Sequence, residues 1–306
     1  MKTSSELLIE PTNDIRSFLA QCRVAVDAEL DRLVPAEESR PATVHQAMRW
    51  SLFAGGKRFR PALLLAVGST FGVAPECLLK SACSLEMIHT YSLIHDDLPS
   101  MDDDELRRGR PTCHVRFGEA TATLAGDALQ TLAFQTIAED ESLSPDTRVR
   151  VISELARGAG TPHGMVAGQA RDLEAESQAV SSDDLEGIHQ LKTGALIVAA
   201  ARCGGIIAGV EDGELSAISE YAAGLGLLFQ ITDDLLDVTA TVQDLGKTPG
   251  KDARAQKATY PALYGIESAR QHATEIHEKT CAALGSIGQP TQLLGDIADF
   301  ILRRNA

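Results

Sequence analysis

From Asn13 onward the apolar residues Ile15, Phe18, Leu19, Cys22, Val26, Leu30 and Leu33 recur at threes and fours until Pro35 interrupts them. That is the period of a helix with one buried face. The spacing returns in Val44, Ala47, Met48 and Leu52, which stop before Gly55-Gly56. Pro61 and Pro75 suit first helical turns, one ahead of LLLAV and the other ahead of the run through Ile94. Further helices are expected over 119–140, 144–159, 183–209, 214–241 and 261–284. No stretch alternates apolar and polar residues in the strand manner, and aromatics are only 4%. The chain should therefore be all-α, with ten or more helices around one core. The loop near 142–146 and the SSDD at 181–184 read as helix connections, the second also supplying N-caps. With no low-complexity linker, residues 1–306 are expected to form a single domain.

Charge narrows the function. The balance of 28 basic against 43 acidic residues gives −15, which disfavours non-specific attraction to nucleic acid or anionic lipid. The basic residues are informative by position: Lys57, Arg58 and Arg60, then Arg107, Arg108 and Arg110, lie on either side of an acidic run. Six cysteines without C-x-x-C pairs, and no charged-then-apolar leader, predict reduced thiols and a cytoplasmic protein. Apolar stretches are broken by charge or glycine well short of about 18 residues, so no membrane span is expected.

The acidic run is SLIHDDLPSMDDDELRRG, residues 92–109, with five aspartates and one glutamate in ten positions. A second cluster, QITDDLLDV, occupies 230–238. Asp233 and Asp237 stand at i and i+4 and share a helical face, with Asp234 beside them. Asp96 and Asp102 are about 240° apart around a regular helix. They can meet only if the chain opens over LPSM, where Pro99 gives it reason to. Either cluster alone could be a solvated helix end, but carboxylates at a helix C-terminus oppose the macrodipole. Two of them after strongly apolar helices point to a bound cation. Oxygen-only ligands without His or Cys suggest Mg²⁺ held by a few carboxylates plus substrate phosphate. A calcium loop fails, since counting from Asp102 the sixth position is Arg107 and the twelfth Cys113. Three Mg²⁺ would supply about +6 against six carboxylates, and two diphosphates near −3 each would draw on the basic groups.

GGKRFRP (55–61), EMIHTYSLIHDDLPSMDDDELRRGRPTCH (86–114), GMVAGQARDL (164–173), KTGAL (192–196), FQITDDLLDV with LGKTPGKD (229–252) and QKATYPAL (256–263) together resemble the trans-prenyl diphosphate synthases. The similarity is greatest to bacterial farnesyl diphosphate synthases and spans about residues 40–305. It implies the all-helical isoprenoid-synthase fold, a homodimer, and two aspartate motifs facing across a central cavity. Carried over by position, Asp96, Asp102 and Asp233 would ligate Mg²⁺, with Asp97, Asp234 and Asp237 in the same shell. Gly56, Lys57, Arg60, His89 and Arg108 would form the isopentenyl diphosphate site. Arg107, Lys192, Thr193, Gln230, Lys247 and Lys257 would surround the allylic diphosphate, with Arg107, Lys192, Thr193 and Gln230 assisting its ionisation. GKTPGKDARAQK departs from the family in spacing and in its extra Lys251, which bears on Lys257. The resemblance also implies an aromatic pocket floor at Tyr91, beside Ser92, and hence a fifteen-carbon product. A twenty-carbon geranylgeranyl synthase is the alternative.

Each residue also has an ordinary reading. His89 alone would be a core hydrogen-bonder, Gly55-Gly56 a helix terminator, Tyr91 a residue packed against a neighbouring helix, and Gln169 with Asp172 an internal polar pair. Three rival functions remain. An HD-type metal phosphohydrolase would need further ligating histidines and no second DDxxD. A non-catalytic subunit would lose one motif. A terpene cyclase would replace the second DDxxD and dispense with the isopentenyl diphosphate set.

Overall fold

The computed structural model describes residue 9 and residues 14–175, 181–239 and 259–304. Its contacts divide the chain into two compact units, the first comprising residues up to Leu65 with Val73–Ile152, the second Ala66–Gly72 with the residues from Ser153 on.

The first unit begins with α1 (Ile15–Leu33), whose N-cap Asp14 accepts the Ser17 N–H at 2.9 Å and which buries Phe18, Cys22, Ala25, Val26 and Leu30. After α2 (Ala42–Leu52) the chain enters α3 (Phe59–Thr70), which contributes to both units, as does α7 (Pro145–Ala159). Between them run α4 (Pro75–Asp96), α5 (Cys113–Phe117) and α6 (Glu119–Ala138). Helix α4 is buried around most of its circumference and packs against α1, α2 and α6. Proline at its first turn lacks the N–H that would have no partner there.

One element was not expected. Leu106–Arg107 (β1) and Arg110–Pro111 (β2) pair antiparallel, with Leu106 opposite Pro111 and Arg107 opposite Arg110. Arg108 and Gly109 make the turn with φ of 54° and 72°, the double positive φ that matches strand twist in a two-residue hairpin. Two-residue strands are too short to register as alternation.

The second unit holds α8 (Met165–Ala175), α9 (Ser182–His189), a π-helical turn over Gln190–Gly194, and α10 (Ala195–Ala208). It continues with α11 (Asp212–Thr239), α12 (Tyr260–Tyr264), α13 (Ile266–Ala283), a 3₁₀ turn over Leu284–Ser286, and α14 (Gln292–Arg303). Helix α11 packs against α10, α13, α14 and the π turn. Tyr221, fully buried on α11, donates its hydroxyl to the Leu294 carbonyl of α14 at 2.7 Å.

The long periodic runs appear as helices within a few residues of their expected bounds. The 183–209 run is widened by the π turn, and the 261–284 run is split at Gly265, whose φ of 79° ends α12. Helices α5, α8 and α14 fall outside the expected runs. Contrary to the expectation that no stretch would be long and apolar enough to span, Asp184–Ala208 is helical and contains an 18-residue window of mean hydropathy 1.5 that qualifies by length and composition. Most of that window (56%) is buried inside the protein, as in a core helix.

Candidate active site

Helix α4 ends where the first aspartate cluster starts. Asp97 caps it, its N–H donating to the Leu93 carbonyl at 3.1 Å. The chain then turns back: the Asp102 N–H donates to the Asp96 carbonyl at 2.9 Å, and the Asp104 N–H to the Asp97 carbonyl at 3.2 Å. The helix opens at LPSM, and the six-residue separation closes into a loop that sets Asp102 beside Asp96.

Asp97 is buried at 3% exposure. Arg107 answers it from the hairpin, its Nε donating to both carboxylate oxygens at 2.8 and 2.9 Å. Burial pushes the Asp97 carboxyl above its ordinary value, with Arg107 opposing. The same hairpin carries Arg108, whose guanidinium donates to the Gly55 carbonyl and lies against Gly56. A Cβ at Gly56 would stand 2.6 Å from that guanidinium, so the glycine admits Arg108. His89, two turns before Asp96, is held well below the ordinary imidazole value by burial and by Arg60, Arg108, Arg107 and Arg58. A neutral imidazole among four cations suits an anion. Lys57 is exposed and Arg60 half-buried.

In the second unit the KTG of the KTGAL motif falls on the π turn. A Cβ on Gly168 of α8 would come within 2.1 Å of the Lys192 backbone nitrogen, and one on Gly226 of α11 within 2.9 Å of Gly194 Cα. These glycines let two helices approach the π turn backbone to backbone. A π bulge at such a place is a frequent mark of function. Lys192 Nζ donates to Asp172 Oδ2 at 2.6 Å, which draws Asp172 into the site. The amide atoms of Gln169 are buried and have no hydrogen-bond partner among the described residues.

The Thr193 hydroxyl donates to Gln230 Oε1 at 3.1 Å, and Gln230 Nε2 donates to Asp234 Oδ1 at 2.8 Å. Asp234 Oδ2 accepts the Tyr260 N–H at 3.0 Å. Asp234 is thus buried with a protein donor on each oxygen, and it fixes the amide of Gln230. The side chain of Asp233, by contrast, is 46% exposed.

Arg304 was missed by sequence reasoning. It donates to Asp233 Oδ1 at 2.7 Å, to the Phe229 carbonyl at 2.6 Å and to the Thr232 hydroxyl, and stacks 3.9 Å above the Phe229 ring. It belongs to no motif of its own, so only its basic character next to the last helix could have signalled it. Lys247 and Lys257 lie outside the described residues.

Among the described residues no group of three His, Cys, Asp or Glu side chains is gathered closely enough to hold a metal by itself. Each aspartate cluster, taken by itself, has donors that fit Mg²⁺: both are all oxygen, with Asp102 returned to Asp96 in the first unit and Asp233 half open in the second. Mg²⁺ keeps several waters and needs one or two carboxylates plus phosphate.

A helical protein with carboxylates at two helix positions and cations close to each set belongs with the proteins that handle diphosphates. The chain belongs to the polyprenyl synthetase family, whose family model matches residues 41–289. It is 45% identical over 298 residues to a farnesyl diphosphate synthase of Escherichia coli, covering 95% of this chain and 99% of the relative. It is 46% identical to geranylgeranyl pyrophosphate synthase 11 of Arabidopsis thaliana, covering 89% and 76%. A crystal structure of an FPP/GFPP synthase from Zymomonas mobilis superposes with a TM-score of 0.83 at 36% identity, covering 94% of this chain and 98% of that one. The fold is accordingly the isoprenoid-synthase fold.

Two outcomes test the site's construction. Gly168→Ala should lower stability by about 1–3 kcal/mol and disturb Lys192, because the clash is with backbone that cannot swing aside; a thermal midpoint equal to the wild type's would contradict this. His189 closes α9 with its imidazole pushed down from 6.5 to about 4 by burial, Asp172 opposing and Lys192 adding. The unfolded chain therefore takes up this proton first as pH falls. Stability supplied by the neutral ring is whole above 6.5 and lost toward about 4. His189→Gln should flatten denaturation midpoints over that window.

Proposed function

We propose that this chain condenses isopentenyl diphosphate head-to-tail with dimethylallyl and then geranyl diphosphate, giving farnesyl diphosphate and diphosphate. The observation that carries the reading is the return of the loop after α4, which sets Asp102 beside Asp96 through the 2.9 Å bond. Charge at that point is of the sign and hardness a cation-bridged diphosphate requires. Family membership supplies the reaction class.

Asp96, Asp102 and Asp233 would hold Mg²⁺, three ions in all, with Asp97, Asp234 and Asp237 as the wider shell. When bound, the metal would supply Lewis-acid stabilisation of charge on the leaving diphosphate. Lys57, Arg60 and Arg108, with neutral His89, bind the diphosphate of isopentenyl diphosphate. Lys192 and Arg107 stabilise the allylic diphosphate as its C–O bond breaks and negative charge grows on oxygen. Both are held by carboxylates, Asp172 and Asp97, so their positions are set before substrate arrives. The hydrogen-bonded pair Thr193 and Gln230 presents oxygen dipoles to the allylic cation. The alkene of isopentenyl diphosphate attacks that cation, and the proton then lost passes to the released diphosphate. Lys247 and Lys257 belong to the same proposal through their place in the motif.

The proposal includes a homodimer in the cytoplasm, acting as one catalytic domain. Six free thiols are consistent with a reducing compartment.

Activity should need both aspartate sets. Asp96→Ala and Asp233→Ala are each expected to cut turnover by orders of magnitude with Mg²⁺ present while helicity by circular dichroism is kept. Near-normal rates in either variant would sink the reading. Product length is the second readout. Tyr91 is 5% exposed and sits about 7.5 Å along the helix axis before Asp96, where a growing chain anchored at Asp96 would meet its ring. The wild type should stop at fifteen carbons and Tyr91→Ala should reach twenty. A wild-type product of twenty carbons favours the geranylgeranyl alternative, which similarity to the Arabidopsis enzyme keeps in play.

A further inference from the structure

Arg58 takes no part in the reaction just described, yet it is among the most thoroughly engaged residues of the first unit. Its side chain is 1% exposed and that of Glu86 3%. Nε donates to Asp27 Oδ1 at 2.7 Å, one terminal nitrogen to Glu86 Oε1 at 2.6 Å, and the other to the Leu52 carbonyl at 2.6 Å. The three acceptors come from α1, α4 and the last residue of α2, so one guanidinium ties three helices to the loop between α2 and α3.

The backbone bends to allow it. Arg58 has φ of 49°, in the left-handed region that side chains other than glycine seldom enter. That turn sends Arg58 inward while Lys57 on one side is exposed and Arg60 on the other is half-buried. Glu86 stands three residues before His89 on α4, so the buried pair connects the loop bearing Lys57, which runs directly into the first turn of α3 bearing Arg60, to the helix bearing His89. Arg108 holds the same loop separately, by its bond to the Gly55 carbonyl.

A buried ion pair is weak evidence for stability, because apolar residues of similar volume often serve as well. What a guanidinium adds is direction: a planar fork whose N–H vectors are fixed and meet their acceptors only in one orientation. The strained backbone and the three satisfied donors are more than packing alone requires.

We propose that Arg58, fixed by Glu86 and Asp27, is a positioning residue for the isopentenyl diphosphate subsite. It does not touch the ligand. It sets the directions of Lys57 and Arg60 relative to His89, so that the three converge on one diphosphate. This rests on the function proposed above.

The experiment replaces the pair by apolar residues of similar size, in Arg58→Met with Glu86→Met, and compares Michaelis constants for the two substrates. The double variant should keep its thermal midpoint within a few degrees. Its KM for isopentenyl diphosphate should rise tenfold or more while that for geranyl diphosphate stays within twofold. Adding Arg58→Met with Glu86→Met to a variant that already carries Lys57→Ala and Arg60→Ala should give little further rise, since Arg58 acts through those two residues. A folded double variant with an unchanged KM for isopentenyl diphosphate overturns the proposal. So do additive effects of the Arg58→Met/Glu86→Met and Lys57→Ala/Arg60→Ala replacements, which would place Arg58 on the ligand itself. Should the double variant not fold, Glu86→Gln keeps the shape and removes the charge; the same split is expected of it, and an unchanged KM again overturns the proposal. A wild-type protein that consumes no isopentenyl diphosphate refutes the reaction and leaves the role of Arg58 as a purely structural one.

Discussion

A carboxylate taken out of water has to be given a cation or hydrogen-bond donors, and this is hardest at a helix C-terminus, where the backbone dipole already carries partial negative charge. Helix α4 ends on two aspartates, and its hairpin exists in the form that answers them. The turn at Arg108 and Gly109 returns the chain with Arg107 aimed at Asp97. Arg108, from the same turn, reaches the Gly55 carbonyl. Compensation of one buried carboxylate by Arg107 thus carries a second cation, Arg108, into place.

The second unit obeys the same constraint with different parts. Lys192 is paired with Asp172, Asp233 with Arg304, and Asp234 with Gln230 and the Tyr260 N–H. Neighbouring aspartates on α11 consequently differ in chemistry: Asp234 is spent on internal architecture, whereas Asp233 is tethered through one oxygen and half exposed. A carboxylate held in this way is directed through one oxygen, in keeping with the cation-binding role proposed for it.

Close backbone approach is the other organising device. The π turn that carries Lys192 and Thr193 is flanked by glycines on α8 and α11 whose missing side chains let those helices touch it. The π turn offsets Lys192 and Thr193 from the regular path of the helix. Specific geometry here comes from what is absent at Gly168 and Gly226 as much as from what is present.

Sequence by itself determined the helical class, most of the long helices, the two aspartate clusters and the need for cations near them. Periodicity and like-charge crowding are local properties, readable from residues a few positions apart. It also indicated that Asp102 could meet Asp96 only if the helix opened over LPSM, because regular helical geometry sets them about 240° apart. Tertiary structure alone decided which cation serves which carboxylate. Arg107 with Asp97 could be guessed from proximity, but Arg58 with Asp27 and Glu86, or Arg304 with Asp233, join residues 31, 28 and 71 positions apart. The π turn was hidden for a related reason: its local sequence is a good helix, and the widening is set by backbones that arrive from α8 and α11. Local pattern fixes what each segment is, while the partner of a buried charge is fixed by whichever distant segment the packing brings within about 3 Å.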